Sequence, residues 1–223
     1  MKRRVTVSID GPTASGKTTL GASLAIARGL SFLDTGLSYR AAALAAYRAP
    51  AAFSTSTIDK IIQHLPARFE TGSAGGRVVQ RETILFDGED VTESIWGPEL
   101  DEGLKRVSSE PDRRAQILAM HEAAVEQTDG VVVVGRDVAV TLLPSAALHV
   151  YLTASQTVRR ERRRAQYRDN PVRSTSVGPA TARDIENRDS IRRLPRSIEI
   201  ESTYLPAQAV YRRTAFELER NLA

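Results

Sequence analysis

The chain predicts an α/β fold, a parallel sheet flanked by helices, and three stretches carry that reading. Residues 4–9 are short and rich in β-branched side chains, and a glycine-rich turn follows at once. An apolar helical pattern through Leu20, Leu24 and Ile26 comes next. Val131–Val134 and Leu148–Leu152 are unbroken apolar runs. Such runs suit strands covered on both faces, because alternation is lost when neither face meets water. They belong at the centre of the sheet.

The remaining elements follow in order. A second short run, Leu30–Leu33, leads into Asp34-Thr35-Gly36, and the alanine-rich stretch Tyr39–Tyr47 has high helix propensity. This is a second strand feeding a second helix. Between the two halves the texture changes: residues 67–71, a glycine-rich turn at 72–76, and residues 77–86 before Asp87-Gly88 read as antiparallel strands joined by tight turns. From Gln156 to about Arg196 the chain is polar and arginine-rich, broken by Pro171, Gly178 and Pro179, as in a lid. The expected organisation is one domain over 1–223, with core segments 1–64, 130–155 and 197–223. An insert occupies about 65–129 and a lid about 156–196.

Composition excludes several classes. With 223 residues, 41% hydrophobic and 26% charged, the chain can bury a core without cross-links and is not of disordered type. It has no cysteine, so disulfides and thiolate metal sites are ruled out, and a cytoplasmic setting is expected. Neither a signal-like apolar run nor a membrane-length one occurs, so no membrane partner is expected. The formal charge of +4 and pI near 9.6 are compatible with nucleic acid. However, the arginines concentrate at 159–168 and 183–196, and aromatics are only 5%. Small phosphorylated ligands account for the bias equally well, and no nucleic-acid partner is expected.

The turn after the first strand reads Gly11-Pro12-Thr13-Ala14-Ser15-Gly16-Lys17-Thr18, followed by Thr19. It fits the phosphate-binding pattern G-x-x-x-x-G-K-[ST] in the required context, strand before and helix after. Successive backbone N–H groups make a concave anion site at the positive end of a helix dipole, so nucleotide phosphates need no cage of side chains. Lys17 would reach the β- and γ-phosphates, and Thr18 would ligate magnesium through its hydroxyl. The expected architecture is therefore of the P-loop NTPase type, with a small antiparallel β insert and an arginine-rich lid. The bland alternative is a glycine-rich turn capping a helix.

Phosphoryl transfer depends on positioning and charge neutralisation, so arginines near the travelling group are expected. Arg159, Arg162 and Arg163 share one helix face by their spacing. A solvated basic face would show the same pattern.

These residues resemble those of bacterial cytidylate kinases, within the nucleoside monophosphate kinases. Ile9-Asp10-Gly11-Pro12 leading into Gly16-Lys17-Thr18-Thr19-Leu20 resembles the family's opening. Leu33-Asp34-Thr35-Gly36-Leu37-Ser38-Tyr39-Arg40 resembles its next conserved segment, and Phe86-Asp87-Gly88-Glu89-Asp90-Val91 resembles part of its insert. Gly135-Arg136-Asp137-Val138, Pro144 and Leu152-Thr153-Ala154-Ser155 resemble its later strand ends. The likeness covers most of the chain and implies transfer of the ATP γ-phosphate, with Mg2+, to CMP or dCMP by a monomer. It implies that Arg40 and Arg136 hold the acceptor phosphate with Thr35 beside them, and that Asp137 lies near the base. It also makes Arg114 a base contact and Arg162 a lid arginine near ATP. A guanidinium fork binds phosphate bidentately, so two of them can align the attacking oxygen with the γ-phosphorus. For Arg136-Asp137 the alternative is a local ion pair.

Two departures stand out. Where the family typically has a base-reading serine six residues before Pro111, ungapped counting lands on Lys105. The C-terminal lid is compressed, so that Arg188-Asp189-Ser190-Ile191-Arg192 leads almost directly into Ile198–Thr203. The resemblance assigns Asp189 to the ribose and Arg188 or Arg192 to phosphates. A kinase using UMP or another small acceptor, and a non-catalytic nucleotide sensor, are the competing readings; Lys105 favours the first. Against the second, a sensor has no use for a second phosphate-clamping pair beside Lys17 and Thr18.

Overall fold

The computed structural model describes residues 4–50, 53–65, 82–168 and 177–223. Five parallel strands form the main sheet: β1 (Val5–Asp10), β2 (Ser31–Asp34), β6 (Gly130–Gly135), β7 (Leu148–Thr153) and β8 (Ser197–Glu201). Their spatial order is β2-β6-β1-β7-β8. The valine run in β6 divides between the faces as the pleat requires. Val132 and Val134 join Val7, Ile9, Leu24 and Leu148 on one side, and Val131 and Val133 join Leu33, Val125 and Val138 on the other. Helices α1 (Lys17–Arg28) and α9 (Ala207–Leu222) cover the first face. Full burial of β6 is thus the reason its sequence shows no alternation.

Helix α2 (Thr35–Arg48) begins at the end of β2, earlier than alanine content alone suggests, because Asp34 caps it by accepting from Gly36 N at 3.0 Å. Its buried alanines let α4 (Asp101–Ser109) approach closely, and α5 (Pro111–Glu126) starts one residue later with proline at its first turn. Two 3-10 turns, Ser94–Trp96 and Pro98–Leu100, precede α4. The single-turn helix α3 (Thr55–Ile58) leads to a small antiparallel sheet of β3 (Ile61–His64), β4 (Thr83–Phe86) and β5 (Glu89–Asp90). This sheet opens at Ile61, ahead of the expected boundary near residue 65, because Ile61 and Gln63 point inward while Ile62 and His64 face water. The strand expected at 67–71, the turn at 72–76 and residues 77–81 of the strand expected at 77–86 lie outside the described residues, and the rest of that strand contains β4. The short helix α6 (Val138–Thr141) follows β6. Within the arginine-rich segment, α7 (Gln156–Gln166) and α8 (Ala182–Arg192) are regular helices. Among the described residues no helix is long and apolar enough to cross a membrane.

Candidate active site

The site lies at the carboxyl ends of the central strands, where parallel sheets open a crevice between helices facing opposite ways. β1 ends at Asp10, and the chain turns through Gly11 with φ of 146°. A Cβ at Gly11 would sit 2.0 Å from the carbonyl oxygen of Leu152, so only glycine allows the loop to lie against β7. The turn ends with Gly16 in the left-handed region as the N-cap of α1, leaving backbone N–H groups free for an anion. Ser15 Oγ is buried there without a hydrogen-bond partner among the described residues, as suits a loop built around a ligand.

Lys17 folds back to donate to the Pro12 carbonyl at 2.8 Å, and burial lowers its pKa to about 8. Beside it, Thr18 Oγ1 donates to Asp34 Oδ2 at 3.1 Å, placing a hydroxyl and a carboxylate oxygen together at the loop's edge. Hard oxygen donors of this kind fit magnesium, which usually takes one or two protein oxygens and completes its shell with water and phosphates. No group of three or more acidic, histidine or cysteine side chains among the described residues could form a dedicated metal cage.

Beneath the loop, the Asp10 carboxylate accepts from Val138 N at 2.6 Å and Ala139 N at 3.1 Å. Burial raises its pKa to about 7 in spite of those two donors. This fixes the start of α6 and therefore the preceding Arg136-Asp137 pair. Arg136 turns toward the phosphate loop and donates to Thr13 Oγ1 at 2.8 Å, with Asp184 3.7 Å away. Asp137 instead lines a cavity of about 270 Å³ with Thr35, Tyr39, Arg114, Leu118, His121 and Thr141. Arg114 donates to Asp137 at 2.6 Å, and Arg183 donates to the same oxygen. Burial would raise the Asp137 pKa, but these two guanidiniums outweigh it and hold the carboxyl below its usual range. A phosphate loop and a second pocket are thus joined by one dipeptide.

The family model for cytidylate kinase matches residues 7–196. This chain belongs to the cytidylate kinase family. It is 37% identical to the cytidylate kinase of Chloroflexus aggregans, covering 75% of this chain and 72% of that one. It is 34% identical to that of Pseudomonas syringae pv. tomato, covering 95% and 94%, and 33% identical to that of Azotobacter vinelandii, covering 99% and 98%. The protein is therefore a phosphotransferase of the nucleoside monophosphate kinase class.

Within this cytidylate kinase family scaffold, the remaining sequence candidates fall in two groups. Thr35 stands at the cavity wall with its hydroxyl donating to the Val134 carbonyl at 3.0 Å. Arg40 lies over the Trp96 ring, 4.9 Å from its centroid, and donates to the Ile95 carbonyl at 3.3 Å. Arg162 reaches the phosphate loop, donating to the Ser15 carbonyl at 3.1 Å and the Ser202 carbonyl at 2.6 Å. Arg188, Asp189 and Arg192 are not brought to the cavity. Arg188 and Arg192 both donate to Glu199 on β8, and Asp189 is half exposed beside Arg192. The helical register explains this: Arg188 and Arg192 lie four apart on one face, and a different stripe, Asp184, Asn187 and Ile191, is buried. Lys105 is also turned away, exposed and paired with Glu102 at 3.4 Å.

Two site residues, Arg183 and His121, escaped sequence reasoning, and a third, Arg159, was read only as part of a cluster. Arg183, in the first turn of α8, joins Asp137 to the Ser108 carbonyl, bridging lid and insert. Arg159, grouped only by spacing, is buried under the loop and donates to the Thr13 carbonyl at 3.1 Å. His121 lines the cavity from α5, four residues past Ile117 on that helix's buried face. The buried stripe on α5 was the signal that could have found it.

Proposed function

We propose that the protein transfers the γ-phosphate of ATP to CMP or dCMP, giving ADP and CDP or dCDP. The observation that carries this reading is the Arg136-Asp137 dipeptide, whose first side chain touches the phosphate loop while its second lines the cavity. An acceptor seated with its base beside Asp137 and Arg114 would have its phosphate within reach of Arg136, facing the end of the donor. Gly11, Pro12, Thr13, Ala14, Ser15, Gly16, Lys17, Thr18 and Thr19 would hold the ATP phosphates. Thr18 would hold magnesium, which supplies charge neutralisation at the phosphate oxygens when bound.

Arg40 and Arg136 would orient the acceptor phosphate for in-line attack. Lys17 would stabilise charge on the travelling group, and Arg162 would fix the loop carbonyls so that the N–H groups stay aimed at the phosphates. No covalent enzyme intermediate and no dedicated general base are needed, because a loose transition state asks for little proton transfer from the protein. The departure at Lys105 does not weigh against a cytosine acceptor, since that side chain faces solvent.

The test is steady-state ADP production from ATP and magnesium with CMP, dCMP, UMP, AMP or water as acceptor. A preference for CMP or dCMP is expected. Equal or better turnover of UMP would overturn the assignment.

A further inference from the structure

A chain of buried polar groups runs from the end of β2 into the cavity wall. Gln63 Nε2 donates to the Asp34 carbonyl at 3.1 Å and to Glu82 Oε1 at 2.8 Å. A carbonyl oxygen only accepts, so the amide nitrogen of Gln63 must face it, and Gln63 Oε1 faces the other way. There it meets Ser38 Oγ in a short hydrogen bond. A carboxamide oxygen also only accepts, so the one hydroxyl proton of Ser38 is committed to Gln63. Ser38 Oγ lies 2.9 Å from His121 Nε2 as well, and with its proton used it must accept there. His121 Nε2 therefore carries the N–H.

The other ring nitrogen is fixed by elimination. Burial lowers the His121 pKa to about 4, against a weaker upward pull from Asp137, so the ring is neutral at ordinary pH and holds a single proton. Nδ1 is then a bare lone pair. It has no hydrogen-bond partner among the described residues, and the ring lines the cavity.

From this geometry we infer that His121 is a specificity-determining residue, whose Nδ1 accepts a hydrogen bond from the exocyclic amino group of the acceptor base. The inference rests on the CMP or dCMP reading above. Cytosine offers an N–H at that place, whereas uracil offers a carbonyl oxygen, setting lone pair against lone pair and leaving two buried acceptors unpaired. Arg114, which lines the same cavity, has only donors, and Asp137 Oδ2 already accepts from Arg114 and Arg183. Ser38 and Gln63 act at one remove, as positioning residues that hold the tautomer.

The experiment compares kcat/KM for CMP and UMP in the wild type, in His121→Leu and in Ser38→Ala. His121→Leu is expected to lower the CMP-to-UMP ratio by about 10- to 100-fold, the effect of one buried polar complement. Ser38→Ala keeps the imidazole but frees its tautomer, and is expected to lower the ratio by a smaller factor. Loss of packing alone would slow both acceptors together and leave the ratio unchanged. An unchanged ratio in both variants of an enzyme that prefers CMP overturns the role of His121 while sparing the acceptor assignment. A wild type with no preference for CMP or dCMP overturns both. Nitrogen NMR of the wild type gives a readout independent of turnover: the Nδ1 resonance should be that of an unprotonated nitrogen and should move on adding CMP without ATP. A protonated Nδ1 in the free protein would also overturn the inference.

Discussion

Arg159 on α7 donates from Nη1 to the carbonyl oxygen of Thr13 in the phosphate loop, 3.1 Å away. The same guanidinium donates to the carbonyls of Ala154 and Gly178, and the residue is only 3% exposed. A cation this buried, whose hydrogen bonds among the described residues all go to backbone carbonyls, holds the loop in shape and is not available to touch a phosphoryl group. Arg159→Met should therefore cost about 2–4 kcal/mol of stability, because three carbonyls lose a charged donor. Urea denaturation followed by circular dichroism would measure it, and a stability loss under 1 kcal/mol would show that water replaces the guanidinium at little cost.

On the proposed mechanism Lys17 stabilises charge in the transition state, and among the described residues its one protein hydrogen bond is to the Pro12 carbonyl. Lys17→Ala should lower kcat by roughly a hundred- to a thousandfold, in line with removal of a preorganised charge. The circular dichroism spectrum should not change. Near-normal turnover would mean that transfer takes place elsewhere.

The phosphate loop, the central strands and the Arg136-Asp137 pair were legible in the sequence because each is local: a turn chemistry, an apolar run, a dipeptide at a strand end. The fate of the later arginines was not. The resemblance assigns Arg188 or Arg192 to phosphates, and only the rotation of α8 about its axis shows that both donate to Glu199. Spacing fixes which residues share a helix face but not which face the core selects. In the same way Lys105 looked like a substituted base-reading position until its solvent-facing pairing with Glu102 was seen. For His121 the helix spacing could point to a buried face of α5 but not to a role. Its role depends on Ser38, Gln63 and Asp34, which are distant in sequence, and only the fold joins them.

Gly11→Ala tests the close approach of loop and sheet. The added methyl would meet the Leu152 carbonyl oxygen at 2.0 Å, and φ of 146° is a conformation that alanine resists. The loop must shift outward from β7, so the expected result is loss of ATP binding together with a stability loss of about 1–3 kcal/mol. Calorimetric titration with ATP and magnesium would show it, and wild-type affinity would mean that the loop accommodates a Cβ.

Arg40 is held by the Trp96 ring and the Ile95 carbonyl, so it is placed before any ligand arrives. Preorganisation of this kind matters to geometry more than to ground-state binding. Arg40→Ala should reduce kcat and kcat/KM for the acceptor by about a hundredfold while leaving KM for ATP close to wild type. An effect confined to KM for the acceptor would reduce Arg40 to a uniform binding contact.

The buried imidazole of His121 also makes a prediction about stability. Its pKa is lowered from 6.5 to about 4 in the folded protein, chiefly by burial. Between those values the unfolded chain binds a proton that the folded one refuses, so stability rises with pH across that window. The contribution is fully present above about pH 6.5, is lost as pH falls toward 4, and amounts to roughly 3 kcal/mol in all. Moving from about pH 7 to about pH 5, the wild type should lose about 2 kcal/mol more than His121→Gln, which has nothing to titrate at that position. Urea midpoints at the two pH values give the comparison. Parallel losses in the two proteins would mean that His121 accepts its proton in the folded state, and with it that the ring is not held as a neutral acceptor.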